Sequence, residues 1–297
     1  MQSVIDIFLQ GFILVPLVLG IYLSYEVMKI TDLTVEGSFV LGASVYARLI
    51  IESINPVLAL FIAISSGSLA GIVVVFIQRD DKIDSLIAGI LMIFMLYSIN
   101  LQIMGSPNLT TYNHTTVLTY ISYVFLDNAG FLFSVLYAFL CIAVVYLLLN
   151  VQLGLRIRAY GDNKNLLYRL GHNPEKYRLI GLAFSNALAS GSGALTCQIY
   201  GFTDINMGFG IALTAIAAWL IGIQSMKKIF RYKNFSVKID CIACLMGALL
   251  YYLIVTLFLR MGVNPVYLKL LVGLILVILL KVMSNKKKSH GKTTVKN

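Results

Sequence analysis

Residues 130–151 read GFLFSVLYAFLCIAVVYLLLNV, twenty-two positions without a charged side chain. A helix of about 20 apolar residues spans the hydrocarbon of a bilayer, with a tolerated range of about 17–25. Runs of the same kind recur at 4–28, 38–53, 56–78, 84–104, 178–200, 207–225, 238–259 and 265–283. The second and seventh of the nine are short or interrupted. Composition points the same way: 59% of residues are hydrophobic and 12% charged, where soluble domains carry about 45–50% and about 25%. Only lipid keeps that much apolar surface from water. The expected fold is an all-α polytopic bundle of about nine spans with broken or re-entrant segments. It forms one membrane domain, 1–283, followed by a basic tail, 284–297.

The net charge of +10 would suggest nucleic acid in a soluble protein. Here the basic residues crowd into connections, which is the topological use of Lys and Arg and calls for no nucleic-acid partner. Arg156, Arg158, Lys164, Arg169 and Lys176 lie in 152–177, and Lys227, Lys228, Arg231 and Lys233 in 226–237. Arg79 and Lys82 lie in 79–83, and Lys286, Lys287, Lys288, Lys292 and Lys296 in the tail, just after Lys281. Nine spans put all four stretches on one side, the cytoplasm, with the N-terminus outside and the C-terminus inside. Arg260 is the one basic residue left in an outer connection. The stretch 105–129 also falls outside and reads as a loop followed by an interfacial helix or short re-entrant piece. The sequons at Asn108 and Asn113 are patterns that arise by chance and carry no weight.

Cys141, Cys197, Cys241 and Cys244 all sit in apolar runs. The CxxC of the last two reads as small-residue packing, since no His or second pair stands nearby. No metal site is expected. The first run lacks a basic start and is long enough to span, unlike a cleavable signal peptide.

Polar groups inside lipid need a reason, and four stretches supply candidates. The first, Lys29 to Ser38, interrupts the apolar run with Thr31, Asp32, Thr34 and Glu36. It reads as a discontinuous helix lining a pathway, or equally as a cytoplasmic-side turn capped by Asp32 or Ser38. The second runs from Gly154 to Pro174. Asp162 or Asn163 caps a short helix, Gly171 ends it and Pro174 prevents its resumption. Leu166, Leu167 and Leu170 give that helix one apolar face between breaks at Gly161 and Gly171, a form suited to docking on a soluble partner. The third, Ala183 to Gln198, is rich in small residues that let backbones approach. Interhelical bonding is the plainer role for Asn186 and Gln198, and substrate contact the alternative. Gly67 and Gly71 read as packing, and Ser98 and Asn100 on the fourth run pose the same question as Asn186. The fourth, Thr203 to Gly210, is either a broken segment or an exposed loop.

These stretches together resemble a bacterial ABC importer permease of the branched-chain amino-acid/ribose permease superfamily, closest to permeases assigned to tryptophan/tyrosine transport. The likeness rests on Thr31-Asp32-Leu33-Thr34-Val35-Glu36-Gly37-Ser38-Phe39, on Ala88 to Leu91 and on Leu96 to Gly105. It continues through Gly154 to Asn163, Leu170-Gly171, Gln198 to Asp204 and Met207 to Gly210. It implies a dimeric membrane domain, of two copies or of a copy and a homologue, bound to two ATPase subunits. It also implies an extracytoplasmic substrate-binding protein and a small solute such as an amino acid. ATP would sit on the partner subunit, with no cofactor on this chain. The stretch Gly161 to Gly171, with Arg156 and Arg158 before it, would be the coupling element. Thr31, Asp32, Thr34, Glu36, Ser98, Asn100, Asn186 and Gln198 would line the pathway. One departure is Gln224 after Leu220-Ile221-Gly222-Ile223, where close relatives tend to carry an acid.

Two other classes compete. A secondary transporter or channel would favour a carboxylate at the midplane, whereas Glu26, Asp32, Glu36 and Glu52 fall near span ends. A membrane enzyme would need clustered chemistry, and His114, His172 and His290 are far apart in sequence. Gly291-Lys292-Thr293 lacks the earlier glycine of a phosphate-binding loop, Lys286 standing there, so this chain does not hold ATP by that motif.

Overall fold

Capping chemistry sets several helix ends. Asn55 accepts from the Val57 amide at 3.0 Å and Pro56 fills the first position, so α3 (Pro56–Ile77) starts there. Asp84 accepts from the Leu86 amide at 2.8 Å and opens α4 (Ser85–Met104), which stops at Gly105 with φ 73. The computed structural model describes residues 2–78, 83–122, 129–230, 236–277 and 281.

In chain order, α1 (Gln2–Ile21) passes into a π-helical turn, Tyr22–Val27. Then come α2 (Thr34–Ile51), α3, α4, β1 (Asn108–Thr110), α5 (Val117–Ser122) and α6 (Ala129–Asn150). Two shorter helices follow, α7 (Gln152–Asp162) and α8 (Lys164–Arg169), then the longest, α9 (Pro174–Tyr200). β2 (Phe202–Asp204), α10 (Ile211–Phe230), α11 (Val237–Arg260) and α12 (Pro265–Val277) complete the described chain.

The bundle has two distinct ends. At one, β1 and β2 pair antiparallel, Leu109 opposite Thr203, and bring the ends of α4 and α9 together. Lys269 at the start of α12 meets Phe209 just before α10 at this ribbon end. At the other, Arg178 of α9 bonds Gln78 at the end of α3, and the Tyr22 hydroxyl donates to Asp240 of α11 at 2.9 Å. The Arg158 guanidinium donates to the Leu149 carbonyl of α6 there. This end also carries α7, α8 and their cations and is called the basic end.

α9 is the axis on which α1, α2 and α3 pack. Lipid tails are as apolar as side chains, so close backbone contact and buried hydrogen bonds hold such helices together. A Cβ at Gly193 would collide with the Phe39 carbonyl, one at Gly42 with Ser190, and one at Gly71 with the Leu182 carbonyl. Three serines of α9 donate across: Ser185 to Gly20 at 2.8 Å, Ser190 to Ala63 at 2.5 Å and Ser192 to Ile13 at 2.6 Å. The small-residue stretch and the Gly67/Gly71 pair therefore pack helices, as their composition suggests.

Several boundaries differ from the sequence reading. Among the described residues seven helices are long and apolar enough to cross a membrane: α1 with its π turn, α2, α3, α4, α6, α9 and α11. α10 is outside that set, its last turns bearing Lys227 and Lys228, and α12 is a shorter apolar helix over its described residues. α2 starts at Thr34 rather than 38, because Asp32 accepts from the Thr34 amide and Glu36 and Ser38 find partners on α10 and α9. α9 starts at Pro174 rather than 178, on an Asn173 cap at 3.0 Å from the Glu175 amide. The stretch 105–129 does contain a short helix, α5, but its first part is strand β1. The stretch from Thr203 begins in β2, so a small ribbon interrupts the all-α pattern. The basic connection 79–83 and the tail from 282 lie outside the described residues, apart from Ile83.

Candidate functional site

After the π turn the chain does not leave the bundle. Lys29 takes a left-handed conformation, φ 56, and the Ile30 amide donates back to Ser24 at 2.9 Å. Residues 28–33 then run inward without helical structure, and α2 begins among buried neighbours at Thr34. Its first turn therefore presents the partly positive N-terminus of a helix to the protein interior.

Asp32 sits at that terminus, 3% exposed. One carboxylate oxygen accepts from the Thr34 amide at 2.9 Å and the other from Asn186 Nδ2 at 2.8 Å. Asn186 Oδ1 accepts from the Ser38 hydroxyl at 2.7 Å, and its Nδ2 also donates to Leu182 at 3.0 Å. Four polar groups from two helices and the inward segment thus form one closed chain. Both readings of Asp32 meet here: it caps a helix, and that helix is interrupted inside the bundle.

The other pathway candidates spread away from this point. Glu36 is partly buried and its Oε1 accepts from the Ala212 amide at 3.4 Å, so it faces the first turn of α10. Asn100 donates to the Gly37 carbonyl at 3.2 Å. Its Oδ1 and the Thr34 hydroxyl are buried atoms without a hydrogen-bond partner, as are both amide atoms of Gln198. Gln198 lies about 18 Å from Asn186 along α9, by the helical rise. Thr31 is half-buried on the inward segment, and Ser98 is exposed on the face of α4 away from Asn100. The structure gathers Asp32, Thr34 and Asn186, adds Ser38, leaves Glu36 and Gln198 along the same two helices and Asn100 on α4 against α2, and separates Ser98.

At the basic end the helix over 164–169 is present. The Asn163 side chain caps α8 by accepting from the Asn165 amide at 3.0 Å, and Gly171, φ 75, ends the turn after it. Two details change. Gly161 is no break: it lies inside α7, where a Cβ would strike the Val27 carbonyl and the Met28 backbone. The leucines do not share a face either, since Leu167 is 1% exposed while Leu166 and Leu170 are exposed with Tyr168 and Leu155. Leu167 anchors the element and the others remain outside. Asp162 is exposed at the end of α7. Arg156 donates to the Tyr177 hydroxyl at 3.1 Å, and Arg158 reaches α6. Burial raises the Tyr160 phenol pKa on α7, while Arg178 and Lys164 nearby draw it back.

Two connections were not visible in the sequence. Arg178, 1% exposed, holds the Gln78 carbonyl at 3.0 Å, the Gln78 amide oxygen at 3.1 Å and Glu175 at 3.0 Å. In the sequence it is only the first residue of the apolar run 178–200, with no local sign of a partner. The second is α7 against the π turn: Gly161 on Val27 and Met28, with Gly181 of α9 against the Met28 sulfur. The glycine was visible, but its partner lies more than a hundred positions earlier.

Over residues 3–280 the chain matches the family described as "Branched-chain amino acid transport system / permease component". It is 44% identical over 269 residues to an uncharacterized protein of Rickettsia prowazekii (strain Madrid E), covering 91% of this chain and 93% of that one. It is 32% identical over 277 residues to a "Tyrosine transport system permease protein" of Clostridioides difficile (strain R20291), covering 93% and 90%. No solved structure matches it.

Proposed function

Because the chain belongs to the permease components of branched-chain amino-acid transport systems, a bacterial ABC-transporter family, we propose that α7 and α8 receive the stroke of a separate ATPase and pass it to the buried start of α2. The chain is a membrane-embedded permease subunit of the multi-pass, bacterial inner-membrane kind, of the type that forms an ABC-importer translocation pathway. The finer reading is this. The basic end faces the cytoplasm and the ribbon end the outside. α10 and α12 complete nine crossings, which the alternation of helix ends between ribbon and basic ends supports. Two such permeases pair, and a binding protein delivers solute at the ribbon end. The solute is an amino acid or a relative of one, a reading that the tyrosine-transport name of the Clostridioides difficile protein supports.

One observation carries the mechanism. Gly161 on α7 touches the backbone of Val27 and Met28, and the same stretch of chain reaches Asp32 only a few residues later. A π-helical turn at that junction is the kind of local irregularity that marks a functional hinge. When ATP closes the ATPase pair, a shift of α7 would turn the inward segment and reset the Asp32–Asn186–Ser38 chain, opening the pathway to one side at a time. Thr34, Glu36, Asn100 and Gln198 would then meet the solute along the way, with Thr31 on the moving segment.

Gly161→Leu tests the contact. Overpacking of a close contact costs about 1–3 kcal/mol, so the variant should still assemble. In proteoliposomes with the ATPase, hydrolysis should persist while uptake falls about tenfold. Normal uptake with normal substrate stimulation of hydrolysis would remove α7 from the coupling route. Leu170→Glu tests docking separately: copurification of the ATPase in mild detergent should drop several-fold, and undiminished copurification would place the ATPase contact elsewhere.

A further inference from the structure

Among the described residues Arg260 is a cation at the ribbon end, as are Arg48 and Lys269, against the bias that gathers such residues at the other. It is exposed at the last position of α11, at the rim of a groove of about 430 Å³ between α11 and the start of α1. Met246, Leu250, Leu253 and Leu257 line the groove before Arg260, with Phe8 as the opposite wall. Their spacing is that of one helical stripe. From Met246 to Arg260 the stripe runs about 21 Å at 1.5 Å per residue, against about 15 Å for half of a bilayer's hydrocarbon core. The groove therefore extends from near the midplane to headgroup depth and meets a guanidinium there. Thr256, the other polar side chain of the lining, turns its hydroxyl back to the Tyr252 carbonyl at 2.8 Å and leaves the wall apolar.

The section of the groove decides what fits. Some 430–950 Å³ over about 21 Å is a channel on the order of 20–45 Å² across. A helix with its side chains is about 10–12 Å wide, at least about twice too large in section, whereas a single hydrocarbon tail is slim enough. We propose that this groove holds one acyl chain of a phospholipid from the leaflet at the ribbon end, with the lipid phosphate on Arg260. Arg pairs with phosphate through its planar fork of donors, and a cation at headgroup depth attracts anionic lipid. The site is independent of solute and of the ATPase.

Native mass spectrometry of the full chain, delipidated in detergent, tests this with two probes of identical tails: phosphatidylglycerol and diacylglycerol, which lacks the phosphate. The wild type should retain phosphatidylglycerol about fivefold better than diacylglycerol. Arg260→Gln should erase that difference. Leu253→Trp, which fills the groove from an exposed position, should lower retention of both. Phe61→Trp on the exposed face of α3 should change neither, and circular dichroism of all variants should stay at the wild-type value. Equal retention of the two lipids by the wild type would overturn the proposal, as would unchanged retention in Arg260→Gln and Leu253→Trp. A Leu253→Trp variant that alters only the number of chains in the particle would also overturn it, by assigning the groove to a second copy.

Discussion

Asp32→Ala is expected to reduce uptake at least about tenfold while the subunit still assembles with its partners. The substitution removes the acceptor of the Thr34 amide, the first donor of a helix that starts inside the bundle, and one acceptor of Asn186. A buried donor left without a partner costs about 1–3 kcal/mol. Asn186 keeps its bond to Leu182, so the cost falls mainly at the α2 terminus. The packing of α2 on α9 through Gly42, Ser190 and Gly193 is untouched, and so assembly should survive. Asp32→Asn is the sharper comparison. It keeps an oxygen for Thr34 but turns an amide towards the Asn186 amide, so Asn186 must flip and break its present bond from Ser38. Intermediate uptake is expected. The measurements are solute uptake in proteoliposomes containing the ATPase, and the amount of intact complex by size exclusion. Uptake within twofold of wild type in Asp32→Ala would detach the network from the pathway.

Apolar run length located most of the bundle because a bilayer sets the scale of each helix. α4, expected at 84–104, occupies Ser85–Met104, since a capping Asp and a terminal Gly fix both ends within the sequence itself. The same method placed the second span at 38, four residues late. Thr34 and Glu36 lower the hydropathy of a segment in which Asp32 is held by Asn186 and Glu36 by the α10 amide of Ala212. Those partners are more than 150 positions away, and no local pattern encodes them. Asp32, Thr34 and Asn186 could each be singled out as costly in lipid, but their meeting at one point is a property of the packing. At the basic end, Asn163 and Gly171 announced themselves by residue type. Gly161 did not: a glycine that serves close packing inside a helix looks the same as one that breaks it. Leu167 points inward although Leu166 and Leu170 stay exposed, because an anchoring surface on the opposite side takes one leucine of the three.

Arg178→Met is expected to be the most destabilising single change at the basic end. The side chain is fully buried, yet it carries a charge. It is tolerated because its donors reach a carbonyl, an amide oxygen and a carboxylate at 3.0–3.2 Å. Removing one member of a buried charged network costs about 3–5 kcal/mol. Glu175 is partly exposed, at 28%, and can recover water, so the lower part of that range applies. The remaining cost falls on Gln78, whose carbonyl closes α3 and would lose its cross-helix donor. Thermal unfolding in detergent should begin several degrees lower. Arg178→Lys separates charge from geometry: an ammonium can replace one contact, but it lacks the planar fork that spans Gln78 and Glu175 together. Partial recovery is therefore expected. Full recovery by lysine would mean that charge alone holds the two helices, and an unshifted methionine variant would mean that α3 and α9 are joined by other contacts. Glu175→Gln keeps an acceptor at the accessible edge of the same cluster and should shift unfolding far less. That ordering, methionine below lysine and both below the Glu175 variant, follows from how deeply each lost contact is buried.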